Sequence, residues 1–346
     1  MRVLGSLPRA LLVVITAAAA ATAAASGASG ASGAGPAATG RLAYLTCDYP
    51  ACETVVLSSL DLATNASAPL WSLPAGSLDD EYGGNALLAD GGATLLLSLQ
   101  YDVAPGQGAL VAFDLAARRP RGPALNVSSC VVLLLDPSDA TGARLLCLRI
   151  VQGGPDGEVT QLRHIDRRTG ADALVATLFP QHATFGEGVV SRGVLYVPMA
   201  PLSGSGAFFI AAIDPESGAV LSTNATFAYD FFMVGLVSDA PAPGDGTALS
   251  VVRTADANGQ NTRGFLARVD LAAATATQIG PDLNLTKWTQ LNALDALDAA
   301  GGVLYLTAFD GSEGNDLHLL GLSTGSGAIV YDLVVRNPFT DVVFLT

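Results

Sequence analysis

The sequence has few of the side chains that build most catalytic and metal centres. Its 346 residues include three histidines, four cysteines and two tryptophans. The histidines His164, His182 and His318 stand far apart, and the sequence assigns them no serine and carboxylate partners that would complete a triad. His182 lies near Glu187 and is the one histidine that we consider as a general base. We therefore predict no catalytic residues.

Positive charge is also scarce. Lysine and arginine number 17 against 31 aspartates and glutamates, which gives a formal net charge of −14. A protein that binds nucleic acid needs a basic surface to neutralise phosphates, so this composition argues against such a partner. An acidic excess of this kind keeps a protein soluble.

Long apolar runs flanked by basic residues occur only at the beginning of the chain. Arg2 and Arg9 are followed by an alanine-rich run and then by small residues. This pattern predicts a secretory signal peptide over residues 1–25 and a flexible Ala/Gly/Ser-rich leader over residues 26–40. An uncleaved signal anchor is the alternative, although about 16 weakly apolar residues are short for roughly 30 Å of hydrocarbon. We expect a secreted or lumenal protein with no other membrane contact.

The four cysteines and four sequons agree with an oxidising, extracytoplasmic compartment. The even cysteine count favours two local disulfides, Cys47–Cys52 and Cys130–Cys147, over a zinc site, because no histidine lies near either pair. The Asn-x-Ser/Thr triplets predict N-glycosylation at four positions: Asn65, Asn126, Asn224 and Asn284.

A repeat organises residues 41–346. A strand followed by Asp and a turn recurs at intervals of 48 to 56 residues, and its aspartates are Asp61, Asp114, Asp166, Asp214 and Asp270. A second hairpin, split by a pair such as Asp-Gly or Gly-Gly, precedes most of these units. Two hairpins per period make a four-stranded blade, so the sequence predicts an all-β, six-bladed β-propeller.

The ends of the repeat predict how the ring closes. Only one strand, at residues 41–47, precedes the strand that ends at Asp61, so the first blade lacks its innermost strand. The chain ends with a surplus strand, "TDVVFLT". Pairing Val342–Leu345 with Leu42–Thr46 would complete the first blade and remove an open sheet edge.

The same repeat explains "GLSTG" at residues 321–325, which matches a hydrolase nucleophile elbow. An elbow needs a helix after the serine, but here a β-branched run follows. Ser323 also takes the place of the sixth turn aspartate. We therefore predict that Ser323 accepts hydrogen bonds from the turn backbone and is not a nucleophile.

The blade units resemble the "ALDxxTGxxxW" repeats of the quinoprotein-like propeller superfamily, and the resemblance covers nearly all of residues 41–346. The third blade keeps an intact Asp-x-x-Thr-Gly at residues 166–170, whereas the other blades depart from the pattern. The resemblance implies the fold. A redox function with a quinone would need cationic and stacking residues over the channel, for which the chain offers Lys287, Trp71 and Trp288.

A metal site follows from a second resemblance. Six-bladed propellers of the gluconolactonase and paraoxonase type hold a divalent cation with Glu, Asn and Asp at the beginnings of innermost strands. The corresponding candidates here, beside Ser129 in the third blade, are Asn85, Glu187, Asp230, Asn292 and Asp341. Their oxygen atoms would suit calcium, the one cofactor we consider.

Two functions remain open. The favoured hypothesis is a monomeric, non-catalytic binding or scaffold module that presents loops on one face to a protein or a glycan. The alternative is a divalent-metal-dependent hydrolase, similar to a lactonase or esterase, with its site in the central channel. The aromatic segment "YDFFMVG" at residues 229–235 would line the channel mouth or join the core between blades.

Overall fold

The structure, a computed structural model, describes most of one compact unit, Ala38–Thr346. The described residues are 40–47, 55–73, 85–100, 107–152, 158–180, 182–184, 188–201, 208–223, 226–227, 231–233, 236–238, 246–255, 261–273, 275–285, 287–310, 316–335 and 339–345. The predicted signal peptide and nearly all of the leader lie outside them. These residues form 27 strands, which pair into six antiparallel sheets.

The first three blades follow the chain in order. Blade 1 contains β1 (Arg41–Cys47), β2 (Val55–Asp61) and β3 (Ala66–Leu73). Blade 2 contains β4 (Asn85–Ala89), a 3-10 turn (Asp90–Gly92), β5 (Thr94–Gln100), β6 (Gln107–Asp114), β7 (Arg119–Pro120) and β8 (Leu125–Ser128). Blade 3 contains β9 (Val132–Leu135), β10 (Arg144–Gln152), β11 (Glu158–Asp166) and β12 (Asp172–Pro180).

Blades 4 to 6 complete the ring. Blade 4 contains β13 (His182–Thr184), β14 (Val189–Ser191), β15 (Val194–Pro201), β16 (Phe208–Ile213), β17 (Val220–Ser222) and β18 (Thr226–Phe227). Blade 5 contains β19 (Phe231–Met233), β20 (Thr247–Ala255), β21 (Asn261–Asp270) and β22 (Thr275–Ile279). Blade 6 contains β23 (Trp288–Asp298), β24 (Val303–Asp310), β25 (Leu317–Ser323) and β26 (Ile329–Val335), and β27 (Phe339–Leu345) follows it.

The last strand closes the ring as the sequence predicts. β27 pairs antiparallel with β1, from Arg41 opposite Leu345 to Thr46 opposite Phe339, and becomes the innermost strand of blade 1. Blade 1 thereby has four strands: three from the beginning of the chain and one from its end. The predicted all-β, six-bladed propeller is confirmed.

The hydrophobic core repeats at every junction between blades. Six buried clusters occur, and each combines side chains from two neighbouring blades, including the pair formed by blades 6 and 1. Because each sheet is covered on both faces, its middle strands are continuous apolar runs, as in "TLLLSL" of β5. No helix in the described part of the chain is long and apolar enough to cross a membrane.

The repeated turn has the hydrogen bonds that its sequence predicts. Asp166 Oδ1 accepts the N–H groups of Arg168 and Thr169, both at 2.8 Å, and the other turn aspartates accept in the same way. Ser323 Oγ accepts the N–H of Ser326 at 3.3 Å. Ser323 is thus the sixth turn acceptor, and β26, rather than a helix, follows it.

A second set of bonds joins the two hairpins in five of the six blades. The residue after the turn aspartate or serine donates its N–H to the turn between the first and second strands, as Arg167 does to Ala143 at 2.8 Å. The same bond occurs in four other blades. In blade 4 the donor position is Pro215, which has no N–H. These turns therefore share one face of the ring, which we call the turn face.

Glycine near the end of the turn allows neighbouring blades to approach closely. Gly218 has φ of 69°, and a Cβ there would lie 2.2 Å from the Cβ of Ala176 in blade 3. Gly327 has φ of 67°, and its Cβ would lie 2.0 Å from the carbonyl oxygen of Ile279 in blade 5. Any larger residue would push the two blades apart, so these glycines serve packing as well as turn geometry.

Candidate functional site

Three of the five metal candidates occupy equivalent backbone positions around the channel. Asn292 lies in β23, Asp341 in β27 and Asn85 in β4, and these innermost strands are neighbours. Each candidate is opposite the fifth residue of the second strand of its blade: Thr307, Leu45 and Ser98, respectively. The fold therefore brings the three positions to one level on adjacent strands, near the face opposite the turn face.

The other two candidates, Glu187 and Asp230, lie outside the described residues, as do the side chains of Asn85, Asn292 and Asp341. Among the side chains that are described, no group of three or more His, Cys, Asp and Glu could hold a metal ion. The backbone placement fits a set of oxygen ligands from several blades, which is the arrangement that a hard cation requires.

A different candidate site lies on the turn face. An open cleft of about 560 Å³ lies between the β9–β10 turn and the β11–β12 turn of blade 3. Its lining combines charged and hydroxyl side chains with three alanines, and comprises Ser138, Asp139, Thr141, Ala143, Arg144, His164, Asp166, Ala171 and Ala173. We call this feature the blade 3 cleft.

Arg144 fixes one wall of the blade 3 cleft. Its Nε lies 2.6 Å from Oδ2 of Asp136, whose side chain is 0% exposed, and its Nη2 donates to Ser138 Oγ at 2.8 Å. Arg144 also bonds both carboxylate oxygens of Glu216, which belongs to the turn of blade 4. Charge-assisted, forked bonds of this kind are among the strongest hydrogen bonds in proteins, so Arg144 joins blades 3 and 4 rigidly.

Asp139 fixes the β9–β10 turn from within. Its carboxylate accepts the hydroxyl of Thr141 at 2.8 Å and the N–H groups of Thr141, Ala143 and Arg144 at 3.0, 2.8 and 2.7 Å. The Thr141 hydroxyl and these backbone donors hold the pKa of Asp139 far below its usual value. The carboxylate of Asp139 is therefore engaged in hydrogen bonds within the turn, and it remains ionised under mildly acidic conditions.

His164 occupies the side of the cleft that borders blade 4. Its Nε2 lies 2.8 Å from the carbonyl oxygen of Pro215. Asp166, next along the rim, uses Oδ1 for its turn, and the backbone N–H groups of Thr169 and Arg168 lower its pKa. On the opposite side, Nη2 of Arg167 bonds Asp90 of blade 2 at 2.6 Å. Blade 3 is thus tied to both neighbouring blades at this face.

His318 has carboxylate partners that the sequence analysis did not identify. Its Nδ1 lies 2.6 Å from Asp332 Oδ1, and its Nε2 lies 3.5 Å from Asp310 Oδ2. Lys287 Nζ lies 3.2 Å from the other oxygen of Asp332. The sequence could not assign these partners, because β24, β25 and β26 bring together residues that are up to 22 positions apart.

Trp288 lies beside His318 in the core and not over the channel. Its side chain is 1% exposed, its ring centroid is 4.9 Å from that of His318, and Lys287 Nζ lies 4.0 Å from the ring centroid. Trp71 packs 5.8 Å from Phe113 between blades 1 and 2. Lys287, Trp71 and Trp288 therefore have structural contacts and do not form a stacking platform for a quinone.

His182 lies among aromatic rings. Its ring centroid is 5.2 Å from Phe209 and 6.4 Å from Phe179, and these three side chains bridge blades 3 and 4. Glu187 is outside the described residues, so the general-base hypothesis for His182 stays a prediction. Of the segment at residues 229–235, the backbone of Phe231–Met233 forms β19, the innermost strand of blade 5.

The remaining predicted positions divide between described and undescribed parts of the chain. Cys130 and Cys147 form a disulfide with their Cα atoms 5.4 Å apart. Cys130 precedes β9 rather than lying in it, and Cys147 is in β10. Three sequon asparagines, Asn65, Asn126 and Asn284, are exposed. Cys52 and Asn224, together with the side chain of Cys47, lie outside the described residues.

Comparison with solved structures agrees with the architecture. TolB from Acinetobacter baumannii is similar with a TM-score of 0.55 and 13% identity, over 88% of this chain and 66% of that chain. The periplasmic gluconolactonase PpgL from Pseudomonas aeruginosa is similar with a TM-score of 0.51 and 13% identity, over 88% of this chain and 99% of that chain. Neither a protein-family model nor a curated protein sequence matches this chain.

At this level of identity the likeness shows the fold alone. It supports a six-bladed propeller, and it does not support the narrower quinoprotein-like label. The channel positions and the blade 3 cleft are the two features that bear on function.

Proposed function

We propose that this protein is a non-catalytic binding module that recognises a polar ligand, a protein or a glycan, through the blade 3 cleft. The observation that carries the proposal is the rigidity of an open polar surface. Arg144, Asp139 and Asp136 all direct their charged groups into internal hydrogen bonds, so the cleft has a fixed shape before any ligand arrives.

Such preorganisation favours recognition because a ligand then meets side chains whose conformational entropy has already been lost. The groups that line the cleft are hydroxyls, carboxylates, a guanidinium, an imidazole and three alanine methyl groups. This lining suits a polar ligand that contributes its own donors and also makes a small apolar contact with the alanines. Turn loops that are held on a rigid scaffold are also the usual location of binding residues.

The proposal includes the expected location and modification. We propose a secreted or lumenal glycoprotein that is monomeric, with glycans at the four sequons. Support comes from the exposure of Asn65, Asn126 and Asn284 and from the disulfide Cys130–Cys147, which persists in an oxidising compartment. Treatment of the secreted protein with a glycosidase that removes N-glycans should lower its apparent mass, and an unchanged mass would contradict this part of the proposal.

The binding function is tested by blocking the cleft. The protein would be screened against an array of glycans and an array of immobilised extracellular-matrix proteins, and each positive would be measured again with Ala171→Trp. The control is Ala219→Trp, since Ala219 occupies the equivalent, equally exposed turn position of blade 4. We expect about tenfold or greater loss of affinity with Ala171→Trp alone. Equal effects of the two variants would overturn the assignment, and so would the absence of any ligand.

A second candidate function rests on the channel. The equivalent positions of Asn85, Asn292 and Asp341 support a divalent-metal-dependent hydrolase, with Glu187 and Asp230 as further oxygen ligands. A bound cation such as calcium would supply Lewis-acid activation of an ester or lactone carbonyl. In that case Asn292 and Asp341 would position the ion, and the carboxylates would balance its charge.

Thermal unfolding separates the second candidate from the first. The mature protein would be unfolded in excess EDTA and again with calcium added back. A rise in Tm of several degrees that is lost in Asn292→Ala would support the channel site through binding linkage and justify a screen of lactones and esters. Identical curves would exclude the calcium-dependent form of the hydrolase.

A further inference from the structure

A network of polar side chains lies between blades 2 and 3, away from the blade 3 cleft. Arg149 Nη1 donates to Ser128 Oγ at 2.9 Å, and the N–H of Ser128 donates to Asp172 Oδ2 at 2.8 Å. Arg163 Nε donates to Asp172 Oδ1 at 2.6 Å, and its Nη1 lies 3.4 Å from Oε1 of Gln161. Gln161 is directly opposite Arg149 in the β10–β11 pair. We call these five residues the Arg149 cluster.

The charges of the Arg149 cluster do not balance. Two guanidinium groups share one carboxylate, and Asp172 is already committed to Arg163 and Ser128. Among the described residues no carboxylate pairs with Arg149, and its buried Nε makes no hydrogen bond. Burial, followed by repulsion from Arg163, lowers the pKa of Arg149. Asp172 attracts Arg149 but compensates its charge only in part. The folded protein therefore holds a half-buried excess of positive charge, which an additional anion would relieve.

Other arginines in this protein show what full compensation looks like. Arg263 places Nε and Nη2 on the two oxygens of Asp282, both at 2.9 Å, and bonds Gln278 as well. Arg149 has the same fork of donors but only a neutral hydroxyl as acceptor. Arg149 therefore has no carboxylate acceptor among the described residues, although a guanidinium group matches the two oxygens of a carboxylate or sulfate.

We propose that Arg149 and Arg163 bind a small oxyanion, a sulfate or carboxylate group, at the junction of blades 2 and 3. Both arginines and Gln161 are partly exposed, so the group can reach them from solvent. The anion would accept from the Nη groups of Arg149, while Gln161 and Arg163 would form the second side of the site. The same chemistry is offered by a free inorganic anion and by the acidic group of a sugar.

The test uses sodium sulfate as the probe, with sodium chloride at equal ionic strength as the reference. Isothermal titration and thermal unfolding would be measured for the wild type, for Arg149→Gln and for the control Arg263→Gln. We expect saturable sulfate binding to the wild type and Arg263→Gln, with at least about tenfold weaker binding to Arg149→Gln. Arg149→Gln should itself fold at least as well as the wild type, because it removes an uncompensated charge.

Further arms identify the source of the anion and protect the conclusion. Arg149→Lys keeps the charge but not the fork, and it should bind sulfate more weakly than the wild type. A sulfated disaccharide that binds more tightly than inorganic sulfate would show that the group is carried by a sugar; equal or weaker binding would assign the site to a free anion. Equal responses to sulfate and chloride, or undiminished sulfate binding in Arg149→Gln, would overturn the proposal.

Discussion

Blades 3 and 6 have the same strand order, yet their polar groups are distributed differently. In blade 3 the carboxylates and Arg144 lie on the turn face, where they shape an open cleft. In blade 6 the turn face carries Ser323 and the buried Asp298, and the interacting side chains Asp310 and His318 lie toward the far ends of β24 and β25. The comparison indicates that the repeat determines the scaffold. Substitutions within one blade determine which polar side chains that blade places on the turn face.

Two buried side chains, one in each blade, also differ in their hydrogen bonding. Asp136 in blade 3 is fully buried and bonded to Arg144. Thr307 in blade 6 is 1% exposed, and its hydroxyl has no hydrogen-bond partner among the described side chains, which do not include that of Asn292. Thr307 is opposite Asn292, a metal candidate, so its hydroxyl lies close to the channel position on which the second proposed function depends.

The largest effect should follow from breaking the buried ion pair of blade 3. Asp136→Asn leaves Arg144 without its buried counter-charge, and we expect a loss of about 3–5 kcal/mol of unfolding free energy. Asp282→Asn breaks the exposed pair with Arg263 and should cost less than about 1 kcal/mol. Urea unfolding measures both variants. Similar losses in the two would show that the Asp136–Arg144 pair does not stabilise the blade 3 cleft.

The disulfide of blade 3 should come next. Cys130→Ser combined with Cys147→Ser opens a loop that spans 17 residues, and the expected loss is about 3 kcal/mol. The disulfide lies within blade 3, whereas blade 6 contains no cysteine. The loss should therefore appear first as local opening of blade 3. Hydrogen exchange would report faster exchange in β9 and β10; uniform acceleration in all blades would contradict a local role.

A smaller effect of opposite sign is expected at Thr307. Thr307→Val removes a buried hydroxyl that has no partner among the described side chains, and it should stabilise the fold by about 1 kcal/mol. The matched control is Thr160→Val in blade 3, since Thr160 is equally buried but donates to the carbonyl of His182 at 3.2 Å, and it should destabilise. A destabilising Thr307→Val would mean that the hydroxyl has a partner in solution, such as a ligand or ion in the channel.

The smallest effect should come from exchanging the two turn acceptors. Ser323→Asp should raise the free energy of unfolding at pH 7, and Asp166→Ser should lower it. Each change should be less than about 1 kcal/mol because these turns face solvent. The turn hydrogen bonds depress the pKa of Asp166 in the folded state, so its contribution is present above the unfolded value of 3.8 and disappears as the pH falls below it. The gain in Ser323→Asp should likewise shrink as the pH falls through the lowered folded-state pKa; a gain as large at pH 3 as at pH 7 would contradict the explanation.

The fold could be predicted because its signals are local and repeated. A turn aspartate such as Asp214 and a glycine such as Gly218 act within a few residues of the chain, and their spacing sets the blade number. Ring closure followed from counting strands in the first blade. Each of these inferences needed only the order of residues along the chain.

The sites could be predicted only in part, because they depend on contacts between distant residues. The partners of His318 come from two other strands, and Glu216 reaches Arg144 across 72 positions. Arg149 looks like an ordinary strand residue until Ser128 and Asp172 are placed beside it. The equivalent positions of Asn85, Asn292 and Asp341 could be predicted from the innermost-strand assignment. The backbone alone does not determine what these three side chains bind.

The central claim, that blade 3 rather than the channel contacts the ligand, is tested most directly by hydrogen–deuterium exchange with and without the tightest array ligand. Our account predicts slower exchange at residues 136–144 and 164–173 and no change in the equivalent turns of blade 6, residues 298–303 and 323–329. Protection confined to β4, β23 and β27 would contradict it and would favour the channel as the functional site.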